Sequence, residues 1–129
     1  MMLEIYSLLT TAILLLLLAF VSTALYGKQV GNPALLGNRD NIKPPEGAAK
    51  RAQRAHLNLL ENAVPFAIVV LASQALGLSS AITQTAAVTF VIARIIHAFC
   101  YIAGIAGIRT FAWLAGVVAT IVIAASIAI

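Results

Sequence analysis

Polar side chains recur along one predicted helix at the spacing of a single helix face, and their types suit the binding of an anion. At about 100° per residue, positions i, i+3, i+7, i+10 and i+14 lie on one stripe. In this sequence those positions hold Arg51, Arg54, Asn58, Glu61 and Pro65. The stripe runs into an apolar segment, residues 67–78. Partner helices, a water-filled cleft or a bound ligand must therefore solvate it.

A second stripe lies further along the chain, where Arg94, His97 and Tyr101 follow one another at i, i+3 and i+7. The pair Arg109-Thr110 comes next, at the start of another predicted helix. Ionisable groups at membrane depth cost about 2.5–3.5 kcal/mol each, so they face inward and find partners. We expect Arg94 to pair with Glu61, which leaves an excess of positive charge among the remaining polar residues.

This excess of positive charge predicts a cleft for a small anion, since arginine binds carboxylates through two parallel hydrogen bonds. The helix start at Arg109 adds free N–H groups and a favourable dipole, so it favours a thiolate over a thiol. A purely structural interpretation remains open: an ion pair between helices, with other arginines reaching the membrane interface. No metal site is predicted, because His56 lies on another side of its helix and no Cys or acid completes a ligand set with His97.

The elements that carry these residues are predicted to be membrane-spanning helices. Of the 129 residues, 62% are hydrophobic and 9% are charged, whereas soluble domains carry about 25% charged residues. Four apolar segments, near residues 3–26, 48–76, 79–103 and 109–128, are each long enough to cross about 30 Å of hydrocarbon. Backbone groups in lipid must pair within the segment. We therefore predict an all-α integral membrane protein: one domain over residues 1–129, with a four-helix bundle and a polar loop at 27–47.

The distribution of positive charge predicts the topology of the bundle. Six of the eight Lys and Arg residues lie between the first two apolar cores: Lys28, Arg39, Lys43, Lys50, Arg51 and Arg54. Positive residues favour the cytoplasmic side, so loops 27–47 and 104–109 are expected to face the cytoplasm. Short loops and the lack of targeting signals favour a bacterial inner membrane. Nucleic acid is not an expected partner, because no aromatic platform or binding motif accompanies the basic residues.

At these residues the chain resembles the family of membrane-associated proteins in eicosanoid and glutathione metabolism, MAPEG. The first pattern, Arg-Ala-His-x-Asn-x-x-Glu-x-x-x-Pro, occurs as Arg54, Ala55, His56, Asn58, Glu61 and Pro65. The second, Arg-x-x-His-x-x-x-Tyr with a later Arg-Ser/Thr pair, occurs as Arg94, His97, Tyr101, Arg109 and Thr110. The resemblance implies a four-helix subunit in a homotrimer. It also implies glutathione in a cleft between adjacent subunits and a lipophilic substrate that arrives from the lipid bilayer.

Residue by residue, the resemblance implies a glutathione site. The implied contacts, to which the charge pattern adds Arg51, are Arg54, Asn58, Glu61, Arg94, His97 and Tyr101. Arg109 resembles the arginine that stabilises the thiolate, so the expected catalytic set is Arg109, Thr110 and Tyr101. Trp113 falls where the family's prostaglandin synthase has a tyrosine. The chain departs from the family at Gly31, where the transferases often have an arginine, and its spacing from Tyr101 to Arg109 is one residue shorter than in that synthase.

Three functions are compatible with these features to different degrees. The expected one is a membrane-bound glutathione-dependent transferase or peroxidase that acts on lipophilic electrophiles, with glutathione as co-substrate. The alternative is a non-catalytic membrane scaffold that binds a lipid or a partner protein in the groove between subunits. A small multidrug exporter is disfavoured, because such proteins use an acid in the middle of the first helix, and here that helix offers only Glu4 at its edge.

Overall fold

The computed structural model describes residues 2–128, and this part of the chain is helical apart from its connections. Its helices are α1 (Met2–Val30), α2 (Asn32–Leu36), α3 (Gly47–Ala75), α4 (Ala81–Ala103) and α5 (Ala106–Ala128). The four long helices are each apolar and long enough to cross a membrane. The predicted class, a four-helix integral membrane bundle, is confirmed for this chain.

The end of α1 and the start of α5 differ from the predicted ones by three residues or more, and both differences shorten a loop. Helix α1 continues to Val30, and the short helix α2 begins beside Pro33 inside the expected polar loop. The expected connection 104–109 is reduced to two residues, Gly104 and Ile105. Gly104 adopts a left-handed conformation with φ of 82°, and the N–H of Ile105 donates to Cys100 O at 2.8 Å. These two residues complete the turn between α4 and α5. Arg109 is consequently the fourth residue of α5.

Long-range polar contacts fix which connections share an end of the bundle. At one end, Arg51 Nε donates to Ile102 O at 2.9 Å and joins the start of α3 to the last turn of α4. At the other end, Glu4 Oε1 accepts hydrogen bonds from Ser79 Oγ at 2.7 Å and from Thr83 Oγ1 at 2.8 Å. The connections before α3 and before α5 therefore lie together, as alternating spans require.

The centre of the bundle is packed from small and aromatic side chains. Phe66 of α3 stacks on Phe90 of α4 with ring centroids 3.8 Å apart and an interplanar angle of 3°. Both rings are fully buried, and Val70 and Ile123 join them in one apolar cluster. Alanines on α4 and α5 let the two helices approach closely. Cys100 is also buried, in keeping with a packing role.

Candidate anion-binding site

A polar pocket of about 290 Å³ lies where α3, α4 and α5 meet, at the end of the bundle that holds the α4–α5 turn. Its lining comprises Asn58, His97, Tyr101, Arg109, Thr110 and Trp113. One of these side chains is a cation and none is an acid. Five of the six were expected site residues: the structure brings Asn58 of the first stripe and His97 and Tyr101 of the second together with the start of the last helix.

An aromatic ring, rather than a carboxylate, holds the cation of this pocket. The Arg109 guanidinium lies over the Tyr101 ring with its Cζ 4.5 Å from the ring centroid. The His97 ring meets the same tyrosine edge-on, with centroids 5.5 Å apart and an angle of 70°. A cation–π contact orients a guanidinium without neutralising its charge. Arg109 can therefore attract an anion that enters the pocket.

Arg94 lies behind the pocket wall and does not line it. It is only 1% exposed, and its donors reach Asn58 Oδ1 at 3.3 Å, Asn62 Oδ1 at 3.0 Å and Trp113 O at 3.2 Å. All three partners are neutral oxygens. Glu61, by contrast, is exposed on the surface of the chain. The predicted Arg94–Glu61 ion pair is therefore wrong for this chain.

The polar residues of α3 lie on two sides of Asn58 around the helix axis. Relative to Asn58, Asn62 lies about 40° to one side, whereas Arg54 and Glu61 lie about 40° and 60° to the other. Asn58 and Asn62 face the bundle interior, but Arg54 and Glu61 are exposed. The expectation that the whole stripe would converge on one cleft is corrected for this chain, because the pocket lining contains neither Arg54 nor Glu61. Arg51 is also outside it.

Arg51 and Thr110 use their hydrogen-bonding groups on the protein itself. Arg51 Nε is bound to the last turn of α4, so this side chain fixes the α4–α5 turn and lies outside the pocket lining. Thr110 Oγ1 does line the pocket, but it donates to Ala106 O at 3.2 Å within its own helix. Its hydroxyl proton is therefore already engaged.

Sequence reasoning missed Asn62, which connects Arg94 to the pocket wall. Its Nδ2 donates to Asn58 O at 2.7 Å, while its Oδ1 accepts from Arg94. The available signal was the i, i+4 spacing from Asn58, which places two amide side chains one turn apart on a helix. Neither amide can neutralise the guanidinium, so the wall behind the pocket keeps its positive charge.

Beneath Arg94 the interior becomes apolar. The Arg94 Cζ lies 5.2 Å from the centroid of the Phe90 ring, whose other neighbour is the stacked Phe66 ring. The polar groups around Arg94 therefore end at this aromatic pair, which separates them from the buried Glu4 and Thr83 at the other end of the bundle. In residues 2–128, no group of three or more His, Cys, Asp or Glu could hold a metal ion.

Two further cavities border the helices that form the site. A groove of about 560 Å³ runs between α4 and α5 and is lined by apolar side chains and threonines, among them Thr85, Thr89, Ala115 and Val118. A second groove of about 370 Å³ continues from Thr89 and Ala115 to Ile108 and Phe111, which flank Arg109 in sequence. An apolar path therefore leads along the outside of α4 and α5 towards the end of the bundle that holds the polar pocket.

The fold and the site together define a class: a four-span helical membrane protein with a cationic pocket among its last three spans. The model of the MAPEG family matches residues 3–129, essentially the whole chain. The chain belongs to the MAPEG family, and the resemblance found from its motifs is confirmed. Comparison with curated proteins gives no match. Family membership indicates a membrane function related to glutathione or eicosanoids.

Proposed function

We propose that the protein is a glutathione-dependent transferase or peroxidase that acts on lipophilic electrophiles. One observation carries the proposal: the pocket joins Asn58, Tyr101 and Arg109 from three different helices and has no acid in its lining. Such a site suits a small anion with several hydrogen-bonding groups. Glutathione, a tripeptide with two carboxylates and a thiol, has those properties, and the family is associated with its use.

The expected roles follow from the chemistry of each side chain. Arg109 offers forked N–H donors to a carboxylate or a thiolate. The Asn58 amide and the His97 ring supply hydrogen bonds to the peptide, and the Tyr101 hydroxyl is a further donor. Because Arg109 lies in the first turn of α5, the helix dipole adds to its attraction for negative charge. Arg94 contributes its field through the wall and does not contact the ligand.

In the proposed reaction, Arg109 stabilises the glutathione thiolate as the thiol loses its proton to water. The sulfur electron pair then forms a C–S bond with the electrophile. A displaced leaving group departs as an anion, whereas a conjugate acceptor takes up a proton at the adjacent carbon. With a hydroperoxide, the thiolate instead attacks the terminal oxygen, the O–O bond breaks, and the departing alkoxide takes a proton from water to become an alcohol. A second glutathione converts the resulting sulfenic acid to disulfide and water.

The lipophilic substrate is proposed to arrive from the bilayer. The apolar grooves between α4 and α5 lie on the outside of the subunit and reach Ile108 and Phe111, which are 57% and 76% exposed. These side chains flank Arg109 in sequence. A substrate held against them would therefore lie at the level of Arg109 along the bundle, on another face of α5.

We also propose that the subunits assemble as a homotrimer with glutathione between neighbours. Glu61 lies near the middle of α3 and is exposed on the isolated subunit, where lipid contact would cost a carboxylate about 2.5–3.5 kcal/mol. A neighbouring subunit that covers Arg54 and Glu61 removes this cost and returns both residues to the site implied by the family resemblance. Native mass spectrometry in mild detergent should show three subunits. Fully helical, stable protein that stays monomeric would contradict the assembly.

The connections before α3 and before α5 are proposed to face the cytoplasm of a bacterial inner membrane. Cys100 is buried, so a cysteine introduced at the exposed Asn41 supplies a single accessible label. In sealed inverted vesicles this cysteine should react with a membrane-impermeant maleimide, and in intact spheroplasts it should not. The opposite pattern would reverse the orientation.

Glutathione titration of the purified protein tests the main proposal and separates it from the scaffold alternative. A ligand that binds the folded state at 100 times its Kd stabilises that state by about 2.7 kcal/mol. Thermal unfolding should therefore shift upward with glutathione, and conjugation of a chloronitrobenzene should be catalysed. A folded protein without thermal shift or turnover would instead support a non-catalytic scaffold that binds lipid or a partner protein.

A further inference from the structure

Gly116 lies on α5 directly against the buried guanidinium of Arg94. A Cβ atom at this position would be 2.6 Å from Arg94 Nη2, 2.7 Å from Nε and 2.9 Å from Cζ. Carbon atoms do not approach nitrogen so closely without displacement. The missing side chain of Gly116 therefore creates the space in which the guanidinium lies.

The guanidinium has little freedom to move elsewhere. Arg94 is 1% exposed, and its two terminal nitrogens donate to oxygens on two different helices: the amides of Asn58 and Asn62 on α3, and the carbonyl of Trp113 on α5. Its Nε has no hydrogen-bond partner in the described structure and faces Gly116. Displacing the guanidinium would break these bonds and leave Asn62 Oδ1 without the donor that it has here.

Two of these partners, Asn58 and Trp113, are themselves part of the pocket lining. Arg94 thus connects the back of the pocket to two of its wall residues, and it can do so only because α5 presents no side chain at position 116. We infer that Gly116 is a positioning residue of the glutathione site, which acts through Arg94 on Asn58 and Trp113. The link to glutathione rests on the proposed function, whereas the effect on Trp113 does not.

The substitution Gly116→Ala tests this inference, and α5 supplies a matched control. A Cβ at Gly107, in the same helix, would meet nothing within 4 Å, so Gly107→Ala adds the same methyl group in open space. Alanine is the better helix former at both positions. Any loss seen only at Gly116 must therefore come from contact with Arg94.

Two readouts separate positioning from general damage. Trp113 is the only tryptophan in the chain, so its fluorescence emission and acrylamide quenching report the wall without any ligand. We expect Gly116→Ala to change both and Gly107→Ala to change neither. The Kd for glutathione should rise at least about tenfold in Gly116→Ala, the change that corresponds to one charge-assisted hydrogen bond.

A double-mutant cycle with Arg94→Lys decides whether Gly116 acts through Arg94. Lysine keeps the charge but lacks the fork that reaches both helices, so Arg94→Lys alone should weaken glutathione binding. Adding Gly116→Ala to it should cause little further loss, whereas independent effects would add. Additive losses, or Gly116→Ala protein with unchanged fluorescence and unchanged affinity, would overturn the inference.

The remaining outcomes are also decisive. If Gly116→Ala protein cannot be purified in folded form, Arg94→Lys carries the test through the same two readouts, and wild-type values for both would refute it. If the fluorescence changes as expected but the wild-type protein binds no glutathione, the proposed function fails while the positioning role of Gly116 stands.

Discussion

Replacing Arg109 by glutamine is the sharpest test of the proposed chemistry, because it removes the only cation of the pocket lining and keeps much of the side-chain length. The guanidinium packs on the Tyr101 ring at 4.5 Å, a contact worth about 0.5–2 kcal/mol with or without ligand. A charge-assisted hydrogen bond to a thiolate is worth about 1.5–3 kcal/mol and is gained only when glutathione is ionised. We therefore expect kcat/KM to fall about 10- to 150-fold.

Steady-state conjugation of a chloronitrobenzene, followed against pH, measures this effect. The deficit of Arg109→Gln should shrink as the pH rises, because thiolate then forms without help from the cation. Lys50→Gln is the control, since it removes one positive charge from an exposed position near the start of α3. A wild-type rate in Arg109→Gln, or an equal loss in Lys50→Gln, would show that Arg109 does not act on the sulfur.

Three further substitutions probe other parts of the structure. Thr110→Ala should lower kcat/KM by less than about threefold, because its hydroxyl already donates to the helix backbone; a loss as large as that of Arg109→Gln would contradict this. Thr83→Val removes the hydroxyl 2.8 Å from Glu4 Oε1, so the free energy of unfolding should fall by about 1–3 kcal/mol. The glutathione affinity of Thr83→Val should stay unchanged, because Thr83 lies at the end of the bundle away from the pocket; a weaker affinity would contradict this. Arg51→Met should lower the unfolding free energy by about 1 kcal/mol through loss of its bond to α4, and calorimetry showing no loss would refute that tether.

The spans were predictable from sequence because lipid imposes one simple requirement, an apolar helix about 20 residues long. Helix ends were less so. The start of α5 moved from residue 109 to Ala106 because Gly104 completes the turn alone, through its positive φ and the bond from Ile105 to Cys100. Periodicity locates a helix face, but it does not show how few residues a turn needs.

The site was predicted only in part, because periodicity gives the face of a helix but not its contacts. Spacing identified the stripe that carries Asn58, but a stripe about 100° wide has two edges, and only packing decides which edge faces the other helices. In the packed bundle Asn62 faces inward and contacts Arg94, whereas the charged Glu61 is exposed. The predicted Arg94–Glu61 ion pair was wrong because Arg94 donates instead to neutral oxygens of Asn58, Asn62 and Trp113. A glycine's contribution, as at Gly116, leaves no periodic signal at all.

The stacked rings of Phe66 and Phe90 also bear on the integrity of the membrane. They lie beneath Arg94 in an apolar cluster that also contains Val70, Ala87 and Ile123. Water that enters the pocket from one side meets this apolar cluster before it could reach the polar groups of Glu4 and Thr83 at the other end. A cell could therefore hold many copies of this cationic pocket in an energised membrane without opening a leak for protons or ions.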